Sequence, residues 1–325
     1  MSYQQQSYAL KKPFSSFLSG VAGKNGIPMW VYYVNKGQLI SSFGLRDKNG
    51  AMLEFVPANQ AYEIVTQRGF RTFIKFNGQV YECFQVNNAH AQSLHVEKHD
   101  VTIKEYLEAL DLTIQVTYFT LPEAPLSGFL RKVSIDFGLK APSSIELIDG
   151  LTHILPAKLD AGLLKNMSHT LRSWMVSVPT SDAMFYKLSA SIGDTAEVQM
   201  IHDVNTYQTF GLDQMSYIYD VSVIFDQDTT LSHAEGFKDG IHLNQQSTVN
   251  HIPAAMTYTT LKTSKTFISM FSYAESQEAY LYLTQDFNLD YLFEKEKENK
   301  ALHDALTDVI KTNTADVHFN NYLEY

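Results

Sequence analysis

Two stretches in the middle of the chain alternate apolar and polar residues with a period of two. Leu112, Ile114, Val116 and Tyr118 alternate with Thr113, Gln115 and Thr117. Phe129, Val133, Ile135 and Phe137 share one parity with Arg131, and Leu130, Lys132, Ser134 and Asp136 face the other way. That period belongs to a strand with one buried face. Leu121-Pro122-Glu123-Ala124-Pro125 lies between them, and its two prolines favour a turn, so the pair predicts successive antiparallel strands. Shorter β stretches are expected at residues 30–34, 70–76, 80–84, 185–191, 197–201, 217–225, 266–271 and 279–283. Many short strands with few helical segments predict a mainly β chain, a large antiparallel β-sandwich. Ile103, Tyr106, Leu107 and Leu110 fit two turns of helix and fit a strand running into a turn equally well.

Composition agrees. Phe, Tyr and Trp make up 41 of the 325 residues (20, 19 and 2), and aromatic side chains favour half-buried pleated surfaces. With 45% hydrophobic and 18% charged residues, disorder and coiled coil are excluded as the main state. A net charge of −10 supplies no basic footprint for nucleic acid and disfavours an anionic membrane surface. The longest apolar run, residues 28–34, is far shorter than the roughly 20 residues of a membrane helix. The N-terminal MSYQQQSYALKKPF has no apolar signal core, and Cys83 is the only cysteine. A soluble, cytoplasmic protein is expected, so the Asn166-Met167-Ser168 sequon would go unused.

The texture changes near residue 288. Lys295-Glu296-Lys297-Glu298-Asn299-Lys300 precedes Leu302, Ala305, Leu306, Val309 and Ile310, whose spacing predicts an amphipathic helix with solvated first turns. The expected division is a sandwich over 1–288 and a helical linker over 289–325. Such a stripe needs something to lie against, either the sandwich or a further helical domain.

Motifs for chemistry are sparse. His90, His95 and His99 lack partners at zinc spacing and are expected at the surface. No phosphate-binding loop, dinucleotide fingerprint or nucleophile elbow occurs, and Gly20, Gly23 and Gly26 suggest a flexible turn. Cys83 is expected as a small buried residue. No spacing singles out the carboxylate pair that glycoside cleavage needs, and Asp47, Asp136 and Asp149 are expected in turns or at the surface. Trp30 with its tyrosine neighbours, and Arg172 with Trp174, offer flat apolar faces and a hydrogen-bonding cation suited to sugar rings, against a core role for such aromatics. Arg68-Gly69-Phe70-Arg71 places two arginines at a strand start, where an ion pair is the ordinary cause. Trp30, Arg71, Arg172 and Trp174 are therefore the candidate substrate-facing residues, with no catalytic residue, metal ligand or cofactor assigned.

Several blocks carry a resemblance: the run opening FSSFLSGV and closing PANQAYE (14–63), GFRTFIK (69–75), VTYFTLPEAPLSGFLRKVSI (116–135), IELIDGLTHILPAKL (145–159) and LKNMSHTLRSWM (164–175). DTAEV (194–198) extends it more diffusely. In that order they resemble the N-terminal region of glycoside hydrolase family 94 phosphorylases, in particular the 1,2-β-oligoglucan phosphorylase branch. The resemblance implies a β-supersandwich, a helical linker and then an (α/α)6 barrel that carries the general acid and the phosphate site. No residue here matches those positions. It further implies that the complete enzyme phosphorolyses β-1,2-linked glucooligosaccharides reversibly to α-glucose 1-phosphate, with inorganic phosphate as co-substrate. The sandwich would pack on the barrel, as one chain or as separate subunits, shape a rim of the sugar cleft and provide a homodimer contact. A stand-alone carbohydrate-binding module or a scaffold is the alternative.

Overall fold

A computed structural model describes residues 2–190, 200–249, 251–309, 312–316 and 319–320. Among them, eighteen strands form three antiparallel sheets of nine, five and four strands. The nine-stranded sheet runs Ser2–Gln6, Gln92–Glu97, Val101–Leu107, Leu112–Thr120, Phe129–Phe137, Lys265–Ala274, Val204–Phe210, Met184–Leu188 and Met175–Pro179 in spatial order. Its centre is the expected hairpin, with Val116 opposite Val133 and Tyr118 opposite Arg131. The five-stranded sheet has Ile145–Leu151 in its middle, between Ala255–Leu261 and Phe70–Phe76. The four-stranded sheet is a meander of Ser15–Leu18, Met29–Val34, Ile40–Leu45 and Gly50–Leu53.

All three sheets contribute to one main core. Phe43 from the small sheet, Phe70 from the five-stranded sheet and Tyr118, Phe129 and Phe271 from the large one pack with ring centroids 4.8–6.5 Å apart. Each such contact adds about 0.5–1.5 kcal/mol beyond the area it buries. The chain is thus a mainly β sandwich, as its alternation predicts. Gly150 sits in mid-strand at φ +142°, where a Cβ would meet the Ala255 carbonyl oxygen at 2.3 Å, so only glycine fits that register.

Helices cover the outer faces. Gln277–Leu283 and Leu289–Asp308 lie on the far side of the large sheet, where Tyr280 and Leu292 join Phe119, Leu130, Phe185, Ile268 and Met270. Ala58–Arg68 covers Tyr32 and Val34 on the small sheet with Ala61 and Val65. No helix among the described residues is long and apolar enough to cross a membrane.

Several local expectations change. Residues 279–283 are helical, because Ser276 caps them by accepting from the Ala279 backbone N–H at 3.1 Å. Residues 217–225 divide into the strand Met215–Ile218 and a helical turn, Ser222–Phe225, that buries Val223, Ile224 and Phe225. Residues 103–110 resolve as the strand Val101–Leu107 and a short 3-10 turn, Glu108–Leu110. The stretch expected at 197–201 and the DTAEV block fall mainly or wholly on residues outside the described ones. The C-terminal helix begins at Leu289, after the cap Asn288, and buries Leu292, Asn299 and His303. Its charged run is not simply solvated: Lys295 donates to the Glu123 carbonyl at 3.1 Å, and Glu296 pairs with Lys132. Leu306 and Val309, from the expected stripe, stay 51% and 84% exposed.

Candidate functional site

The site grows from the outer face of the four-stranded sheet. Alternation along Met29–Val34 sends Val31 and Tyr33 into the main core and Trp30 and Tyr32 outward. Tyr32 lies under two rings, Phe17 at 4.9 Å and Phe55 at 5.6 Å, and Phe55 meets Trp30 edge-on at 6.0 Å. Phe17 and Phe55 are 55% and 41% exposed, so this strip keeps two aromatic faces in solvent. Trp30 donates from Nε1 to the Asp47 carbonyl at 3.2 Å, which fixes the plane of the indole.

Phe17 and Trp30 open onto a groove of about 1040 Å³. Its other walls are residues 18–24, the turn at Val96–Lys98, and Leu302, His303, Leu306 and Thr307 of the C-terminal helix. The glycine-bearing wall is held rather than loose. A Cβ on Gly20 would meet the Met29 carbonyl oxygen at 1.9 Å, and the Lys24 and Asn25 backbone N–H groups donate to the two Glu123 carboxylate oxygens at 2.7 and 2.8 Å. Those two bonds lower the Glu123 pKa. Lys24, Arg46 and Lys98 give the groove its cations. Glu97 is the one carboxylate among its lining residues, 3.3 Å from His95. Glycoside cleavage by paired carboxyl groups has no pair to use here.

Of the four residues singled out by sequence, Trp30 lines this groove. Trp174 packs half-buried against the same apolar cluster as Trp30, with Leu155, Leu171 and Met175, and the neighbouring Arg172 is exposed. Arg71 lies in the five-stranded sheet, 4% exposed. It donates to both Glu82 carboxylate oxygens at 2.6 and 2.8 Å and to the Leu231 carbonyl at 2.6 Å, with its guanidinium against the Phe73 and Phe225 rings. Arg71, Arg172 and Trp174 all stand outside the groove lining.

Phe17, Phe55, Lys24, Arg46 and Lys98 escaped the sequence reading. Phe17 alternates with its strand neighbours, but exposure depends on which sheet edge a strand occupies, and spacing does not carry that. Two expectations of exposure are corrected. His99 is 7% exposed because Leu289–Asp308 covers it, and Asp149 is 1% exposed because its strand runs through the middle of a sheet. Cys83 is buried, which raises its thiol pKa well above the ordinary value. Among the described residues no three His, Cys, Asp or Glu side chains are grouped to hold a metal ion.

No protein-family model matches the chain, and no curated protein matches it. Among solved structures it is similar to a bacterial glucoamylase complexed with acarbose, at 8% identity and TM-score 0.43, over 92% of this chain and 40% of that one. A protein assigned as a kojibiose phosphorylase, from the human microbiome, gives 9% and 0.37 over 90% and 31%. A polysaccharide lyase gives 10% and 0.39 over 79% and 34%. The chain spans 31–40% of the length of these solved chains. At TM-scores below 0.5 these likenesses fix no activity.

Proposed function

We propose that the chain is a carbohydrate-binding β-sandwich domain of a glycoside phosphorylase that acts on β-1,2-linked glucooligosaccharides. The observation that carries sugar binding is the exposed pair Phe17 and Phe55 about Tyr32, beside Trp30 at the mouth of the groove. Flat apolar faces stack on the C–H faces of sugar rings, and Lys24, Arg46 and Lys98 supply N–H donors for hydroxyl groups. The ordered sequence blocks support the phosphorylase assignment and the linkage. In this reading the general acid and the phosphate site belong to a barrel domain or subunit, the enzyme is cytoplasmic, and inorganic phosphate is co-substrate with no further cofactor. One structural fact favours a second role as a scaffold for that barrel: Leu306 and Val309 point apolar surface outward.

Calorimetric titration of the chain with β-1,2-glucooligosaccharides tests the binding, with Phe17→Ala and Phe55→Ala as controls. Saturable heat that either variant weakens at least tenfold is expected. No heat, or variants that bind as the wild type does, overturns the aromatic site. Incubation with the same sugars and phosphate is expected to yield no glucose 1-phosphate, and product would put the acid within these residues.

A further inference from the structure

The helix Leu289–Asp308 meets the large sheet through side chains that buried faces seldom carry. Asn299 is fully buried and His303 is 3% exposed. Asn299 Nδ2 donates to the His99 carbonyl at 2.9 Å. His303 Nδ1 lies 2.8 Å from the Asn299 carbonyl, which puts the proton on Nδ1 and leaves Nε2 as a lone pair. That Nε2 is buried and has no hydrogen-bond partner among the described residues, and the same holds for Asn299 Oδ1 and His99 Nδ1. The His99 ring faces His303 at 6.4 Å between centroids, its Nε2 2.9 Å from Asp100.

The charged surroundings of His303 come from three elements. Its own helix brings Asp304, which pairs with Lys98 at 2.7 Å, and Lys300 one turn earlier. The turn at 97–100 brings Glu97, Lys98, His99 and Asp100, and the far groove wall brings Lys24 and Arg46. Burial first, then His99 and Lys98, disfavour a second proton on His303, outweighing Asp304 and the Asn299 carbonyl. Lys98, 16% exposed, pairs with the 45% exposed Asp304 and donates to Thr307 Oγ1 at 2.7 Å, rim contacts that hold the last turn only weakly. The first half of the helix is anchored separately, by buried Leu292, the Lys295–Glu123 contact and the Lys132–Glu296 pair.

We propose that His303 is a proton-operated latch: neutral, it seats the last turns of the helix on the sheet, and on acidification it releases them and opens the groove wall formed by Leu302, His303, Leu306 and Thr307. The seated state binds one proton fewer than the released one. The seated-to-released ratio is therefore full above the ordinary histidine pKa of about 6.5 and falls by up to tenfold for each pH unit below it. This holds whatever the groove binds.

Amide hydrogen exchange of the full chain between pH 7.5 and 5.0, corrected for intrinsic exchange rates, tests the latch. Protection over residues 300–307 is expected to fall by at least tenfold across that range, while protection of Leu112–Thr120 holds. His303→Gln, which cannot titrate, is expected to flatten the response. Helix protection that does not change with pH overturns the latch, and so does parallel behaviour of the variant. Simultaneous loss in helix and central strand also overturns it, since that is whole-domain unfolding. Should the variant not fold, the wild-type profile decides alone.

Discussion

Arg131 and Asp149 form an ion pair that joins the nine-stranded sheet to the five-stranded sheet, with the two residues 0% and 1% exposed. Thr72 Oγ1 donates to the other Asp149 oxygen at 2.6 Å, Arg131 Nη2 donates to Thr72 at 3.2 Å and to Gln38, and the guanidinium lies 5.1 Å from the Phe70 ring centre. Burial works against the Arg131 charge, but Asp149 and Tyr118 outweigh it and hold its pKa above the usual arginine value. Removing one partner strands the other charge, so Arg131→Met or Asp149→Leu should each destabilise the fold by about 3–5 kcal/mol. The double replacement should lose far less than the two losses together, because no charge is left unpaired. Urea denaturation of all three variants checks this, and additive losses would refute the pairing argument.

His153 predicts a slope in stability against pH. Thr152 Oγ1 donates to the Gln67 carbonyl at 2.7 Å and so docks this segment against the end of Ala58–Arg68. Burial, then Arg68, Arg172 and Arg71, push the His153 pKa down to about 3. The unfolded chain, with an ordinary histidine near 6.5, binds the proton first. The stabilisation is whole above about pH 6.5 and is lost at up to ~1.4 kcal/mol per unit as pH falls towards the folded value. Urea midpoints at pH 7.5, 6.0 and 5.0 should fall for the wild type and fall less for His153→Gln. Equal slopes would show that another group titrates.

Much of this was legible locally, and the limits were long-range. The hairpin of Leu112–Thr120 and Phe129–Phe137 follows from alternation and the proline-bearing turn between the two runs, and Phe70–Phe76 is legible as a short β stretch. The same parity placed Arg131 on the core face, while nothing near Asp149 marked it as the partner. Residues 279–283 read as a strand because Tyr280, Leu281, Tyr282 and Leu283 suit a pleated surface, yet Ser276 three residues before Ala279 is a cap signal readable from sequence. The groove joins residues near 20, 97 and 305, and no window along the chain contains that juxtaposition.

Trp30 is a poor probe of sugar binding, though sequence pointed to it first. It is partly buried against the apolar cluster that contains Ala51, Leu155 and Leu171, so Trp30→Ala opens a cavity and should destabilise the chain by about 3 kcal/mol. Phe17→Ala removes a ring that is more than half exposed, at about 1 kcal/mol or less. Thermal melts should separate the two clearly, and only the loss of sugar affinity in Phe17→Ala bears on recognition.

Leu306 and Val309 should contribute almost nothing to the fold that contains them. The helix is held by Leu292 from the apolar side and by Asn299 and His303 along a polar seam, so its exposed stripe does not hold the sheet. Replacing both residues by Ser should lower the unfolding free energy, read from urea denaturation, by no more than about 0.5 kcal/mol each. If the stripe is a docking face, the same double variant should bind less of an apolar dye and lose association with a barrel domain supplied in trans. A large loss of stability would instead mean that these side chains pack against this chain's own residues.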